Sequence, residues 1–142
     1  MSAKHEFKTP ADLHLEGAKA AAAIVSNALV ATWCNCDKET RGLVKIIIAH
    51  AGAGITVHGF GACVPTPCDW GAIPGMAYAA NVSSSEAVAF SAQYKFSFKE
   101  TIVVGHLDEG SLIVETFDHF TDGSGRSNYY SRYYMCKCSK QD

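Results

Sequence analysis

LVKIIIAHAGAGITVHGFG, residues 43–61, contains two runs rich in β-branched residues, joined by the turn segment AGAG at positions 51–54. Short β-branched runs separated by glycine-rich turns are typical of antiparallel hairpins. Pairing the two runs about this turn places Ile48 opposite Val57 and Ile46 opposite Gly59. The hairpin then has one strongly apolar face, which we expect to point inward: Val44, Ile46, Ile48, Ile55 and Val57.

The same alternation of short runs and turns continues on both sides of this hairpin. It predicts eight strands, at about residues 28–36, 43–50, 54–62, 73–81, 86–96, 99–107, 111–120 and 128–138. No connection is long enough to hold a crossover helix, so neighbouring strands should pair antiparallel. The predicted fold is mainly β, an eight-stranded antiparallel up-and-down β-barrel over residues 28–138. Gly59 and Gly61 on the inward face would let their strand bend as the barrel closes.

An N-terminal α-helix is predicted ahead of the barrel. Thr9 is a typical N-cap residue, Pro10 suits the first helical position, and Asp12 lies in the first turn. We expect a polar tail at residues 1–9, the helix at residues 10–27 and a short tail at residues 139–142. The apolar positions of the helix are mostly small, which suits close packing across one mouth of the barrel.

Composition restricts the partners. The chain has 142 residues, of which 48% are hydrophobic, and this length suits a single domain. A net charge of -2 gives no basic footprint for nucleic acid or an anionic membrane. The alanine-rich segment 18–33 is too short and too polar for a membrane span and does not match a secretory leader. We therefore expect a cytoplasmic protein with mostly reduced cysteines, no cofactor and a small organic molecule as partner; a homo-oligomer is left open.

The loop order divides the chemistry of the barrel between its two ends. In an up-and-down barrel the first, third, fifth and seventh connections share one end, here called the odd rim, and the other three share the even rim. The even-rim connections are generic turns, and we expect the helix to cover that end. The odd rim would gather the candidate ligand-binding residues: Arg41, Asp69, Trp70, Asp122, Arg126 and Tyr129.

Two interpretations of these rim residues remain open. Asp37 and Asp122 occupy positions typical of turn formers, which hydrogen-bond their own backbone, and the arginines would then pair with them. Trp70 follows the proline-containing segment 63–68 and is either an anchor packed over the core or a stacking wall for a ligand.

Two Cys-x-Cys pairs lie on the first and last predicted strands, which must meet to close the barrel. One antiparallel register places Cys34 opposite Cys138 and Cys36 opposite Cys136. Four sulfurs in one patch would bind Zn²⁺, form cross-strand disulfides or remain free thiols, and we expect free thiols in a reducing compartment. The same compartment leads us to expect that the pair in CVPTPC, residues 63–68, is also unpaired.

The candidates for acid–base catalysis are spread along the chain. They are His58, Asp69, His119 and Tyr133. No H-x-H or H-E-x-x-H spacing and no G-x-S-x-G elbow groups them into a recognisable site. The alternative is that the histidines lie at the surface or in satisfied core positions, and that the tyrosines of the last strand pack as aromatic residues.

Three segments, TRGLVKIII, FGACVPTPCDWG and FTDGSGRSNYY, resemble motifs of an uncharacterised family of small microbial β proteins. This resemblance extends over nearly all of residues 29–135 and implies a single domain, without implying an activity. LVATWCN, with its tryptophan on the first strand, is distantly similar to the opening of lipocalin- and avidin-type barrels.

These observations lead to three functional hypotheses. The first is a barrel that binds an apolar or amphipathic small molecule at the odd rim, with Trp70 as a wall and Arg41, Asp69 and Arg126 as polar contacts. The second is a cofactor-independent isomerase or cyclase that uses the same mouth. The third is a carbohydrate-binding lectin, because an exposed Trp70 with nearby Asp and Asn side chains suits a sugar.

Overall fold

In the computed structural model, which describes residues 24–139, the chain forms a closed β-barrel of eight strands. Each strand pairs antiparallel with its neighbour in the chain, and β1 pairs with β8 to close the ring. The strands are β1 Ala31–Asn35, β2 Leu43–Ala51, β3 Gly54–Gly61, β4 Cys68–Ala79, β5 Ala87–Lys95, β6 Lys99–Asp108, β7 Ser111–Phe120 and β8 Tyr129–Lys137. The predicted eight-stranded up-and-down barrel is therefore confirmed.

The hairpin of β2 and β3 has the register expected from its turn. Ile46 pairs with Gly59 and Ile48 pairs with Val57, and these positions are buried. Apolar side chains from the other strands complete the core: Trp33, Phe90, Val103, Leu112, Val114 and Met135. Alternation along each strand thus separates a filled interior from an outer face.

The prediction was wrong at Val44. The register between β2 and β3 shifts between Leu43 and Lys45. Such a bulge adds one residue to the strand and changes which side chains face inward. Leu43 is consequently fully buried, whereas Val44 is only partly buried.

The segment before β1 closes the even end of the barrel. Leu29 is fully buried, and its carbonyl accepts a hydrogen bond of 2.9 Å from Trp33 Nε1. Val25 forms a parallel bridge with Glu86, in the connection between β4 and β5. Burial of Leu29 therefore supplies apolar contact that the sequence had assigned to a helix.

Most of the predicted N-terminal helix lies outside the described residues. Only positions 24–27 of the expected 10–27 are described, and they are not helical. The polar tail at residues 1–9 and most of the tail at 139–142 also lie outside. Within the described part of the chain, the structure contains no helix with the length and apolar character needed to cross a lipid bilayer.

Two disulfides hold the seam between β1 and β8. They join Cys34 to Cys138 and Cys36 to Cys136, with Cα–Cα distances of 5.1 and 5.4 Å. The expected free thiols and the zinc alternative are therefore wrong for this structure, because no thiolate remains at the seam. The backbone register pairs Cys34 with Cys136, two residues away from the predicted register, so both disulfides run diagonally between the strands.

A third disulfide, which the sequence analysis did not expect, pins the connection between β3 and β4. Cys63 and Cys68 are bonded, with a Cα–Cα distance of 5.4 Å. The Val64-Pro65 peptide bond within this loop is cis. The pair that we expected to be unpaired thus joins the first residue of β4 to the chain just after β3.

Trp70 lies on a strand and points into the barrel. The predicted fourth strand began at residue 73, but β4 begins at Cys68, so Trp70 is not part of a rim loop. A Cβ at Gly59 would lie 2.6 Å from Trp70 Cε3, and one at Gly61 would lie 2.8 Å from Trp70 Nε1. The two glycines therefore make room for the indole ring, a more specific role than the bending that we predicted.

Replacing Gly59 with alanine should destabilise the barrel. The new methyl group would overlap the indole of Trp70, and overpacking of this kind costs about 1 to 3 kcal/mol in the free energy of unfolding. Urea denaturation of Gly59→Ala measures this loss. Gly54→Ala is the matched control, because the nearest atom to its new Cβ is Ala51 O at 3.8 Å. Equal stabilities of the two variants would contradict the packing role of Gly59.

The two seam disulfides should act non-additively. Cys36–Cys136 lies within the long loop that Cys34–Cys138 closes, so either bridge alone keeps that loop closed. Removing one bridge as a double Cys→Ser variant should cost about 2 kcal/mol, as expected for a loop of only a few residues. Removing both should cost more than twice that amount, because the long loop then opens.

Denaturant unfolding of the oxidised variants tests this expectation. The Cys63→Ser, Cys68→Ser variant is the reference, because its disulfide closes a separate short loop. Its loss in the free energy of unfolding should simply add to the loss caused by removing one seam bridge. Additive losses at the seam would show that the bridges do not share one loop constraint.

Candidate functional site

The structure separates the residues that the sequence assigned to one binding site. Arg41 is exposed in the connection between β1 and β2. Asp69 and Trp70 follow one another on β4, but the Asp69 side chain is exposed whereas Trp70 packs against the core. Tyr129 begins β8, opposite Asp118. These residues do not form one contacting set.

Asp122 and Arg126 do lie together, in the connection between β7 and β8, and the Arg126 guanidinium lies 4.2 Å from the ring centroid of Phe120 on β7. Arg126 Nη2 donates to Asp122 Oδ2 at 2.8 Å, and the Ser124 amide donates to Asp122 Oδ1 at 3.0 Å. Hydrogen bonds from Ser124, with a smaller contribution from Arg126, lower the pKa of Asp122 to about 2. The turn-forming interpretation of Asp122 is thus the one observed.

The outer face of β3 and β4 carries a histidine–carboxylate pair. His58 Nε2 lies 2.6 Å from Asp69 Oδ1, and the Gly71 amide donates to the same oxygen at 2.8 Å. The hydrogen bond with His58 is the main cause that lowers the pKa of Asp69 below its usual value. The other catalytic candidates lie elsewhere: Tyr133 packs against Gly42, and His119 is on β7. The four candidates therefore supply one contacting pair rather than a catalytic group.

Inside the odd rim, the structure contains a buried ion pair that the sequence analysis missed. Lys99 Nζ lies 2.8 Å from Asp118 Oδ1, and the two side chains are 17% and 5% exposed. Thr101 Oγ1 donates to the same oxygen at 2.5 Å. The three residues occupy inward positions on β6 and β7, where Thr101 pairs with Asp118. Lys99 and Thr101 are two residues apart on β6, and this spacing alone would have predicted that both side chains lie on the same face of the strand.

Aromatic rings surround this ion pair. Lys99 Nζ lies 5.8, 5.7 and 5.9 Å from the ring centroids of Phe96, Phe98 and Phe120. Phe96 stacks in turn on Tyr94, with 5.3 Å between the centroids. These contacts are within the range of cation–π and aromatic pairing. The barrel mouth at the odd rim, where we expected a ligand, is therefore filled by the protein's own side chains.

An open cleft of about 380 Å³ lies on the outside of the barrel, next to the odd rim. We call it the outer cleft. It crosses β5 to β8 and is lined by Gln93, Glu100, Ile102, Phe117, Asp118, His119, Asn128, Tyr129 and Tyr130. Of the six predicted ligand-binding residues, Tyr129 is the one among these described lining residues. Its volume lies within the range of small-molecule sites.

The floor of the outer cleft is a row of side chains on adjacent strands. Gln93 pairs with Ile102, Ile102 with Phe117, and Phe117 with Tyr130. Ile102, Phe117 and Tyr130 are 45%, 43% and 50% exposed. The Phe117 and Tyr130 rings lie 5.3 Å apart, and Tyr130 donates its hydroxyl to Glu115 at 2.6 Å. That hydrogen bond raises the pKa of Tyr130 and holds the ring in place.

A polar row borders this floor on the side of the odd rim. Glu100 pairs with His119 across β6 and β7, two residues along from Ile102 and Phe117. Among residues 24–139, no side-chain hydrogen bond or ion pair involves Gln93, Glu100 or His119. A carboxylate, an imidazole and an amide therefore remain available beside an exposed aromatic floor.

A second cleft of about 470 Å³ follows the disulfide seam. Asn35, Cys36, Thr40, Arg132 and Tyr133 are among the residues that line it. The Asn35 side chain is already occupied, because its amide donates to Leu43 O and its carbonyl accepts from Asp37 N, each at 2.8 Å. Asn35 therefore serves to hold the connection between β1 and β2.

Comparison of the chain with protein-family models, with curated proteins and with solved structures found no match. Within residues 24–139, no group of three or more His, Cys, Asp or Glu side chains is arranged to hold a metal ion.

Replacing Asp118 with asparagine should destabilise the odd rim strongly. The Lys99 ammonium would lose its counter-charge in a largely buried setting, which costs about 3 kcal/mol in the free energy of unfolding. Chemical denaturation provides the measurement. The double variant Lys99→Met, Asp118→Leu should be more stable than Asp118→Asn, because it buries no unpaired charge. A double variant no more stable than Asp118→Asn would contradict this account.

Proposed function

We propose that the protein binds a small amphipathic organic molecule at the outer cleft. The observation that supports this most directly is the exposed row Ile102, Phe117 and Tyr130 with uncommitted Glu100 and His119 at its border. Small-molecule sites commonly combine an apolar floor with a few polar groups that fix the orientation of the ligand. The proposed binding site therefore lies on the outer wall of the barrel near the odd rim, and not in the barrel mouth where the sequence predicted it.

The energetics of the floor support this location. Exposed apolar side chains gain about 25 cal/mol for each Å² that a ligand removes from water. Tyr130 is already ordered by its bond to Glu115, so little side-chain freedom is lost when a ligand packs on it. At the mouth, by contrast, a ligand would have to displace Lys99 from Asp118 and from three phenylalanine rings.

The isomerase or cyclase alternative receives no comparable support. A general acid and a general base must both reach the same substrate. His58 and Asp69 are in contact, but Tyr133 lies against Gly42 and His119 lies in the outer cleft. We therefore make no catalytic proposal.

The disulfides bear on where the protein works. The cytoplasmic location was expected because the sequence showed no membrane span or secretory leader, and mostly reduced cysteines were expected from that location. Six cysteines in three disulfides contradict the reduced state. Structural disulfides form and persist mainly in oxidising compartments. We accordingly propose an oxidising compartment as the working environment of the folded protein.

Titration of the ¹⁵N-labelled oxidised protein with p-cresol, indole and cyclohexanol tests the binding proposal. Amide shifts should concentrate at the outer cleft, on Gln93, Ile102, Phe117 and Tyr130. Phe117→Ala should weaken binding about tenfold, because it removes the central ring of the floor. Met76→Ala is the matched control, since Met76 is an exposed apolar residue of β4 away from the cleft.

The pattern of shifts also separates the two proposed locations. Shifts confined to Arg41, Arg126 and Trp70 would return the ligand to the mouth and overturn the outer cleft. Binding that is equally strong in Phe117→Ala and Met76→Ala would overturn it as well.

A further inference from the structure

We infer that the ligand class of the outer cleft is a neutral saccharide, an inference that rests on the binding function proposed above. A pyranose ring has a face of C–H groups and an equatorial border of hydroxyl groups. The outer cleft has the complementary arrangement, an aromatic floor with a polar border along one side.

The floor suits a flat face more than a flexible chain. Ile102, Phe117 and Tyr130 stand on three adjacent strands, and their register places them side by side. Neighbouring strands lie about 4.8 Å apart, so the three side chains extend over about 10 Å. The cleft is open to solvent along this row, whereas an apolar chain gains most in an enclosed tunnel. A sugar ring can therefore stack on Phe117 or Tyr130 while its other face stays in water.

The border, together with Gln93 at the β5 end of the floor row, offers hydrogen-bonding groups of the kinds that hydroxyls use. The Glu100 carboxylate accepts hydrogen bonds, the Gln93 amide both accepts and donates, and the His119 ring does both when neutral. A hydroxyl is itself both a donor and an acceptor, so it can bridge two such groups. Glu100 and His119 are paired neighbours on β6 and β7, which places both within reach of one ring edge.

The charge at the cleft disfavours anionic ligands. Glu100 lies on one side of the floor, and Glu115, which accepts the Tyr130 hydroxyl, lies on the other. In the strand register Lys95 stands opposite Glu100 and Arg132 opposite Glu115, outside the lining of the cleft. The described lining itself contains the carboxylates of Glu100 and Asp118 and no Lys or Arg, so an anionic ligand finds no cationic partner there. Nucleotides, which also stack on aromatic rings, normally need basic side chains for their phosphates. A neutral sugar meets no such penalty.

The experiment compares cellotetraose, maltotetraose and N-acetylchitotetraose with the probes p-cresol and indole, using the oxidised protein. Isothermal titration calorimetry and ¹H–¹⁵N shift mapping should detect at least one of the tetrasaccharides at Phe117, Tyr130 and Glu100. Phe117→Ala and Glu100→Gln should each weaken saccharide binding about tenfold.

Two controls match these variants. Tyr134→Ala removes another half-exposed tyrosine of β8, outside the outer cleft, and should leave binding unchanged. Glu100→Gln should weaken saccharide binding much more than indole binding, because indole uses the floor and not the carboxylate. If saccharides used only the aromatic floor, Glu100→Gln would change their affinity no more than it changes the affinity for indole.

Each outcome decides between the two proposals. If p-cresol or indole binds at the cleft and none of the tetrasaccharides does, the saccharide class is overturned and the binding function stands. Failure of all probes at the cleft overturns both. Saccharide binding that is unaffected by Phe117→Ala and Glu100→Gln places the sugar elsewhere and overturns this inference.

Discussion

Closure of the seam between β1 and β8 is the constraint on which the rest of the barrel depends. β1 has five residues, and three of them pair with β8, which is the shortest ladder in the ring. An open seam would leave two strand edges with unpaired backbone groups and would uncover the interior side chains. Cys34–Cys138 and Cys36–Cys136 hold these strands together covalently. The bridges thus compensate for a short ladder at the point where the barrel has least hydrogen bonding.

A closed barrel of this size has to fill its own interior. Eight strands enclose a space just wide enough for side chains or for one small ligand. Here Trp70 packs on Gly59 and Gly61, and the Lys99–Asp118 pair lies among phenylalanine rings at the odd rim. The interior is committed to packing, which shifts recognition to the outer wall. The outward positions of β5 to β8 are where apolar side chains remain exposed beside uncommitted polar groups.

Local pattern was enough to predict the strands and the hairpin of β2 and β3, because a short turn leaves little freedom in register. Three features needed more than pattern. The redox state of the cysteines depends on the compartment, which composition does not encode. The start of β4 was hidden by Pro65 and Pro67, so Trp70 was assigned to a loop although it packs inside. The floor of the outer cleft depends on pairing Phe117 with Tyr130 across an eight-residue connection, whose length does not determine a register.

The outer cleft also divides affinity and selectivity between different groups. Gln93 and His119 are exposed and Glu100 is partly exposed, so exchanging water for ligand hydroxyls at these groups gives little net free energy. Stacking on Phe117 and Tyr130 removes apolar surface from water and must supply most of the binding free energy. A ligand that covers the floor but leaves Glu100 buried without a partner is penalised by the lost hydration of that carboxylate. The floor therefore sets how tightly a ligand binds, and the polar border determines which ligands are tolerated.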